Sequence, residues 1–387
     1  MNTPTLHLCI ATGQNLANLI PALQCGAEEV WVLQTPTMRA SAGHLADALK
    51  ARGIAVRRID FADDAVTTLH AQAAAIAEEL DGRAVAINLS GGTKLMTLAL
   101  VQTLAGHLGT GSQADAPHLV YTDTVHRRLD WLAPVPRSEA MEPVLKIDDI
   151  LRAQGYRRQA GSGGAEAAEW MRQADERKAL TRFMGRESRG LGRFFGTLNF
   201  LAHRALNEPD GAWRPEQSFD FAPAHKYAEL LRLARKLGLL TWDDDSQIVF
   251  HDRDAAQYLG GGWVEEYAGL KIAGAKGDGD WAPRMLVEHA DSGAPNELDA
   301  VLVHGNRMLV VECKAQRTSD NKVADWIYKA SQLARSVGGQ LAQPLLLSAR
   351  TLADEHRQRA REYRVDVLDG AELSQLPDYL RRWMAGT

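Results

Sequence analysis

Cysteine is scarce in this chain: among 387 residues only Cys9, Cys25 and Cys313 occur. They are odd in number and far apart, which excludes a disulfide framework and gives no zinc-ligand spacing. No apolar run approaches the roughly 20 residues needed to cross a bilayer. A basic leader is also missing, since Met1 runs directly into Leu6-His7-Leu8-Cys9-Ile10. No signal peptide is therefore expected, and a reducing cytoplasm fits the cysteines. Excess positive charge is absent too: the formal net charge is -5. Any nucleic-acid binding must then use a local groove rather than the whole surface. Internal repeats and low-complexity runs are lacking. What is present, 45% hydrophobic and 24% charged residues, is ordinary for a globular protein, and the length suits two or three domains.

Residues 1 to about 145 alternate apolar strand-like segments with helix-like ones. Strands are expected at Leu6–Ala11, Val30–Leu33, Ile54–Phe61, Val85–Leu89 and His118–Thr122, with helices between them and an edge strand at Arg128–Leu132. That order predicts an α/β fold with a parallel sheet covered by helices on both faces. A flexible connection is expected around Ala160-Gly161-Ser162-Gly163-Gly164. The following stretch, to about Phe250, reads as mostly helical. Its helix at Ala228–Leu237 and the turn Asp243-Asp244-Asp245 between two short apolar runs form a winged-helix-like pattern; a plain spacer is the equal alternative. A third block, from Gly260-Gly261-Gly262, opens with a helix at Trp263–Ile272 that carries Glu265 and Glu266.

In this third block, Asn296-Glu297-Leu298-Asp299 leads into Ala300–Val303, and Leu309-Val310-Val311-Glu312-Cys313-Lys314 follows the turn His304-Gly305-Asn306. This is a hairpin pattern. Residues two apart on a strand share a face, so Glu312 pairs with Lys314, and Glu297 with Asp299. A register that joins the pairs brings three carboxylates and one ammonium together, as a metal-dependent phosphodiesterase requires. The apolar neighbours imply burial, where unpaired charges are costly. Cys313 should face the core. Lys329 and Arg335, on the next expected helix, are either nucleic-acid contacts or a solvated face.

The first block has its own candidate site. Asn88-Leu89-Ser90-Gly91-Gly92-Thr93-Lys94 lies between the fourth strand and a helix. Ligands bind beyond the carboxyl ends of parallel strands, and a helix start favours anions. The spacing matches neither a Walker A loop nor G-x-G-x-x-G. Thr12, Gln14 and Asn15 after the first strand and Thr35 after the second add hydroxyls and amides on the same side, suiting a polar, phosphate-bearing ligand.

On these residues, the first block resembles a CARF domain (CRISPR-associated Rossmann fold), and the third resembles a PD-(D/E)-x-K nuclease. Their order in one chain is similar to the single-CARF Card/Can nucleases of type III CRISPR systems. The resemblance implies a CARF sensing domain at 1–145, a helical, winged-helix-like connector at 146–255 and a restriction-endonuclease-like domain at 256–387. It implies Asp299, Glu312 and Lys314 as catalytic positions, with Glu266 as a helical acid. Mg2+ or Mn2+ would be held by Asp299, Glu312 and the backbone of Cys313. Thr12, Gln14, Asn15, Thr35, Ser90, Gly91, Gly92, Thr93 and Lys94 would hold cyclic tetra-adenylate in a homodimer, in the service of antiviral defence. DNA nicking or single-strand cutting is expected, with RNA also cut. The literal Pro-Asp pair is absent, since Asp299 follows Leu298. A ligand-sensing winged-helix regulator with a degenerate nuclease fold is the alternative. Cleavage of the activator in the first domain has only His44 as a candidate base.

Overall fold

In the computed structural model, residues 3–62, 65–108, 116–159, 165–207, 211–316 and 320–386 are described. The expected flexible connection at 160–164 lies outside them. The chain divides into two compact units. The N-terminal unit holds 1–157 with 288–294 and 336–341, and the C-terminal unit holds 158–287, 295–335 and 342–387.

The N-terminal unit runs β1 (Leu6–Ile10), α1 (Leu16–Gln24), β2 (Glu29–Gln34), α2 (Arg39–Ala51), β3 (Ala55–Asp60) and α3 (Val66–Leu80). It continues with β4 (Val85–Asn88), α4 (Lys94–Leu108), β5 (His118–Asp123), β6 (Arg128–Ala133), β7 (Arg137–Ala140) and α5 (Ile147–Ala153). The sheet order is β3-β2-β1-β4-β5-β6-β7. Strands β1 to β5 pair in parallel, and β6 and β7 add antiparallel edges. Every residue of β1 and β4 is buried, because helices cover both faces of a parallel sheet. Strand order reverses between β1 and β4, which opens a crevice at their carboxyl ends.

His7 and His118 both register with Ala86, so the two imidazoles flank β4 on one side of the sheet. Burial lowers His7 from 6.5 to about 4; a bond to the Pro4 backbone opposes the shift and the His118 charge adds to it. Because the folded pKa is the lower one, the unfolded chain binds the proton more tightly. This contribution is complete above pH 6.5 and lost as pH falls towards 4, where the deficit is about 3 kcal/mol. The urea midpoint should fall between pH 7 and 4.5 by more in the wild type than in His7→Gln. Equal falls would show that His7 is not the acid-sensitive group.

Strand β8 (Tyr156–Arg158) spans the division of the chain. The C-terminal unit then begins with α6 (Ala165–Arg186), α7 (Ser188–Leu206), β9 (Glu216–Ser218), α8 (Lys226–Lys236), β10 (Leu240–Thr241), β11 (Gln247–Phe250) and α9 (Arg253–Gln257). Its later elements are α10 (Trp263–Ala275), β12 (Asp280–His289), β13 (Pro295–His304), β14 (Arg307–Lys314), α11 (Asp320–Gly338), β15 (Ala342–Ser348), α12 (Asp354–Glu362), β16 (Asp366–Leu368) and α13 (Leu376–Ala385). The main sheet runs β16-β15-β14-β13-β12. β13 and β14 pair antiparallel, while β14, β15 and β16 are parallel. A small antiparallel sheet, β10-β11-β9, follows from the middle segment.

The segment expected as a helical connector at 146–255 packs against the later residues of the C-terminal unit. Leu180, Phe194, Leu198, Leu231 and Trp242 from the middle segment share one core with Trp263, Val311, Leu345 and Leu380. Burying each such side chain contributes about 1.5–3 kcal/mol, so the helices and the nuclease-like sheet stabilise one another. Among the described residues, no helix is long and apolar enough to cross a membrane.

Candidate active site and activator pocket

The register of the β13–β14 hairpin pairs Ala300 with Val311, and one step further Asp299 faces Glu312. Both flanking strands are apolar, so the acids are carried into the protein: Glu312 is 4% exposed. Glu312 Oε1 lies 2.5 Å from Lys314 Nζ and 3.6 Å from Lys329 Nζ. The Cys313 N–H donates to Asp299 Oδ2 at 2.6 Å. Burial and the charge of Glu312 push Asp299 up to about 6, against the pull of Lys314. Burial alone would lower Lys314, but the charges of Glu312 and Asp299 outweigh it and raise its pKa. The structure thus brings Asp299, Glu312 and Lys314 together, and Glu297 contributes its charge to the same cluster. The Cys313 side chain joins the core, and burial drives its thiol well up, which disfavours thiolate chemistry.

Glu266 does not join this group. It is 3% exposed, ion-paired to Arg177 and within 3.5 Å of the Thr181 hydroxyl. Arg177 stacks over Tyr258 at 4.6 Å, completing a buried polar cluster on another face of α10. The helical acid beside the hairpin is Glu265. Burial and the charge of Asp299 push it up to about 7. Arg284 on β12 ties it in, with its Nε 3.5 Å from Glu265 and 3.8 Å from Glu297. Arg284 holds a left-handed φ of 39°, a strained setting for a residue with a side chain. Sequence reasoning missed Arg284 together with its strand. Lys329, left open between two roles, points its ammonium at Glu312, while Arg335 is exposed.

Among the described residues, no three His, Cys, Asp or Glu side chains already converge as a metal-binding set. Asp299 is turned onto the Cys313 amide and Glu312 onto two lysines. The donor chemistry nevertheless fits a hard divalent cation. Burial and mutual repulsion hold Asp299 and Glu265 above the usual carboxylate range, and a cation beside them would offset both. A cleft of about 300 Å³ opens beside them, lined by Glu265, Cys313, Lys314, Asn199 and His203.

In the N-terminal unit, the loops after β1, β2 and β4 stand side by side at the carboxyl edge of the sheet. Several of their residues serve the loops themselves. Asn15 is fully buried and donates to the Ser41 carbonyl and hydroxyl at 2.8 Å, while its Oδ1 accepts from the Thr12 N–H. It braces α2 and leaves no amide to read a base, a correction to its expected ligand role. Gly91 and Gly92 answer to Ile10: an added Cβ would sit 2.0 Å from the Ile10 carbonyl oxygen in one case and 2.7 Å from its Cδ1 in the other. Close packing on β1, and φ of +76° at Gly92, therefore explain them without a ligand.

Ser90 Oγ accepts from the Thr122 N–H at 2.8 Å, and the Thr35 and Thr37 hydroxyls meet at 3.0 Å. Thr93 caps α4, accepting from the Met96 N–H at 3.2 Å. Thr12 accepts from the Gln14 N–H, and Gln14 Oε1 from the Gln340 N–H, each at 3.0 Å. Lys94 is exposed and, among the described residues, makes no ion pair. His44 packs its ring over Gly155 and bonds Asp291 at 3.3 Å, so it is already engaged.

Residues 252–387 match the family model of the Card1-like endonuclease domain. An endonuclease domain thus forms the C-terminal part of the chain. No curated protein matches the chain in sequence. Three solved structures show the fold. Protein VC1899 from Vibrio cholerae superposes with a TM-score of 0.82 at 19% identity, over 98% of each chain. Can2 from Sulfobacillus thermosulfidooxidans, solved in complex with cyclic tetra-adenylate, gives 0.77 at 20% identity, over 98% of this chain and 97% of that one. A type III CRISPR defence DNA nuclease activated by cyclic oligoadenylate gives 0.51 at 20% identity, over 91% of this chain but 46% of the other. The fold, a Rossmann-like N-terminal unit followed by a second α/β unit, is therefore shared with Can2 over nearly the whole chain.

Proposed function

We propose that this protein is a divalent-metal-dependent nuclease of type III CRISPR defence, switched on by cyclic tetra-adenylate. The observation that carries the reading is the Asp299–Glu312–Lys314 cluster, with Glu312 buried and its partners half-buried, on adjoining strands of a domain that matches an endonuclease family. Asp299, Glu312 and the Cys313 carbonyl would hold Mg2+ or Mn2+, with Glu265 replacing Glu266 as the helical acid. When bound, such a cation supplies Lewis-acid stabilisation of the negative charge that grows on the phosphate. Lys314 donates to the attacked phosphate and orients water, a role for a preorganised donor in a water-poor site. Lys329 and Arg284 keep the surrounding carboxylates in place.

Cyclic tetra-adenylate would lie over the crevice between β1 and β4, against Thr12, Gln14, Ser90, Thr93 and Lys94. A two-fold ring suits a pocket shared by a homodimer. The ring can activate cleavage only through tighter binding to the active arrangement. No observation favours the regulator alternative.

The test is cleavage of labelled single-stranded DNA, single-stranded RNA and supercoiled plasmid, with and without Mn2+ and with and without cyclic tetra-adenylate. Cleavage that needs both supports the reading and identifies the substrate. Cleavage without the ring keeps the nuclease and removes the gating. Lys94→Ala should raise the ring concentration for half-activation about tenfold, the cost of one charge-assisted phosphate contact. Its maximal rate should be unchanged; an unshifted half-activation point would put the phosphates elsewhere.

A further inference from the structure

The outer face of α7 has no part in the chemistry above. Leu191, Phe194, Leu198, Leu201 and Ala205 form the stripe that α7 turns into the core. Arg193, Thr197, Phe200 and Arg204 recur at every third or fourth position on the other side, so they share one outward face. Phe200 is 58% exposed, and the Arg204 guanidinium lies 5.8 Å from its ring. Arg193 and Arg204 make no ion pair among the described residues. A cavity of about 860 Å³ covers this face, with Ser218, Asp220 and Arg350 on its other walls. Gly196 keeps that wall close, because a Cβ there would sit 3.0 Å from Arg350 Nη1. Among the described lining residues, Arg193 and Arg204 on α7 face one acid, Asp220. The cavity shares Asn199 and His203 with the cleft that reaches Glu265 and Lys314.

We infer that this groove binds a single-stranded nucleic-acid chain and leads it to the Asp299–Glu312–Lys314 cluster. Phe200 stacks against an unpaired base, while Arg193 and Arg204 meet the backbone phosphates. The inference rests on the nuclease reading of this unit and adds the groove and the residues that hold the strand. A duplex keeps its base faces stacked inside and offers none to an exposed ring, whereas a single strand pairs aromatic platforms with a basic track. Planar guanidinium groups suit phosphate oxygens better than they suit an apolar partner. Shared walls with the catalytic cleft make the groove a route rather than an isolated patch.

The experiment measures fluorescence anisotropy of labelled oligothymidylate and of a DNA duplex of equal length. It uses the full-length protein with cyclic tetra-adenylate present and EDTA to prevent cutting. Phe200→Ala should weaken oligothymidylate binding about 5- to 150-fold, the usual effect of removing one stacking platform. Phe200→Trp should retain binding, and duplex affinity should be the same in all three proteins. Arg193→Ala and Arg204→Ala should each reduce the salt slope by about 0.7. Wild-type affinity in Phe200→Ala, equal losses on duplex, or no binding by the wild type would overturn the groove. So would a changed oligomeric state of Phe200→Ala in light scattering, which would make the face a subunit contact. Cleavage of the same oligothymidylate with Mn2+, run alongside, separates the two ideas. Cleavage with Phe200-independent binding sinks the groove alone. Phe200-dependent binding without any cleavage sinks the nuclease reading and keeps the groove.

Discussion

A Glu312→Ala protein should bind cyclic tetra-adenylate as tightly as the wild type and cut nucleic acid at least about a hundredfold more slowly, the scale of losing one preorganised electrostatic element. Glu312 is the most connected acid of the cluster. It is buried, 2.5 Å from Lys314 and 3.6 Å from Lys329, and its charge contributes to holding Asp299 up at about 6. Removing it deletes a cation donor and the group that aims Lys314. The fold should survive. Repulsion on Asp299 is relieved, and Lys314, whose side chain is 22% exposed, keeps Asp299 as a partner. Lys314→Ala should show the same loss, and Lys314→Arg should not rescue it, because a planar fork does not replace a compact ammonium. The measurements are plasmid and oligonucleotide cleavage with Mn2+ and calorimetric titration with cyclic tetra-adenylate. Undiminished cleavage by Glu312→Ala would remove the hairpin from the chemistry. Loss of both cleavage and ring binding would point to a folding defect instead.

The hairpin was legible in the sequence because a strand has an exact period of two, so Glu312 could be placed with Lys314, and Glu297 with Asp299, before any register was known; joining the two pairs needed the register. The N-terminal sheet was legible for a related reason. Strands covered on both sides read as unbroken apolar runs, as in Val30–Leu33 and Val85–Ile87. What escaped was structure that depends on neighbours. β12 carries Pro283 and Arg284 and alternates little, so only its place beside β13 makes it a strand. β7 is the polar edge segment Arg137–Ala140, and α13 follows a short turn at the end of the chain. The loop glycines were legible as glycines, but their reason was not: the contact is with Ile10, far away in sequence. Asn15 likewise looked like a ligand amide until Ser41 on α2 took both of its hydrogens.

The adjacent acids Glu265 and Glu266 should separate cleanly by substitution. A one-residue step turns a helix by about 100°, so only one of them can face the hairpin. The sequence could not choose, because Trp263, Val264, Tyr267, Ala268 and Ile272 bury α10 nearly all round and leave no amphipathic phase to read. The structure places Glu265 within the field of Asp299 and Lys314, and Glu266 against Arg177 and Thr181. Glu265→Gln should therefore lower cleavage about 10- to 100-fold, by loss of one carboxylate beside the cation. Its stability should be unchanged or slightly higher, since repulsion with Asp299 is removed. Glu266→Gln should do the reverse. It leaves the Arg177 charge, only 16% exposed, without its carboxylate, at a cost of about 3–5 kcal/mol. Cleavage by the molecules that stay folded should match the wild type. The pair of readouts is the urea midpoint and the cleavage rate at a temperature well below either transition. If Glu266→Gln is as stable as the wild type yet cuts poorly, the helical acid is Glu266, and the Arg177 pair must open when the site is loaded.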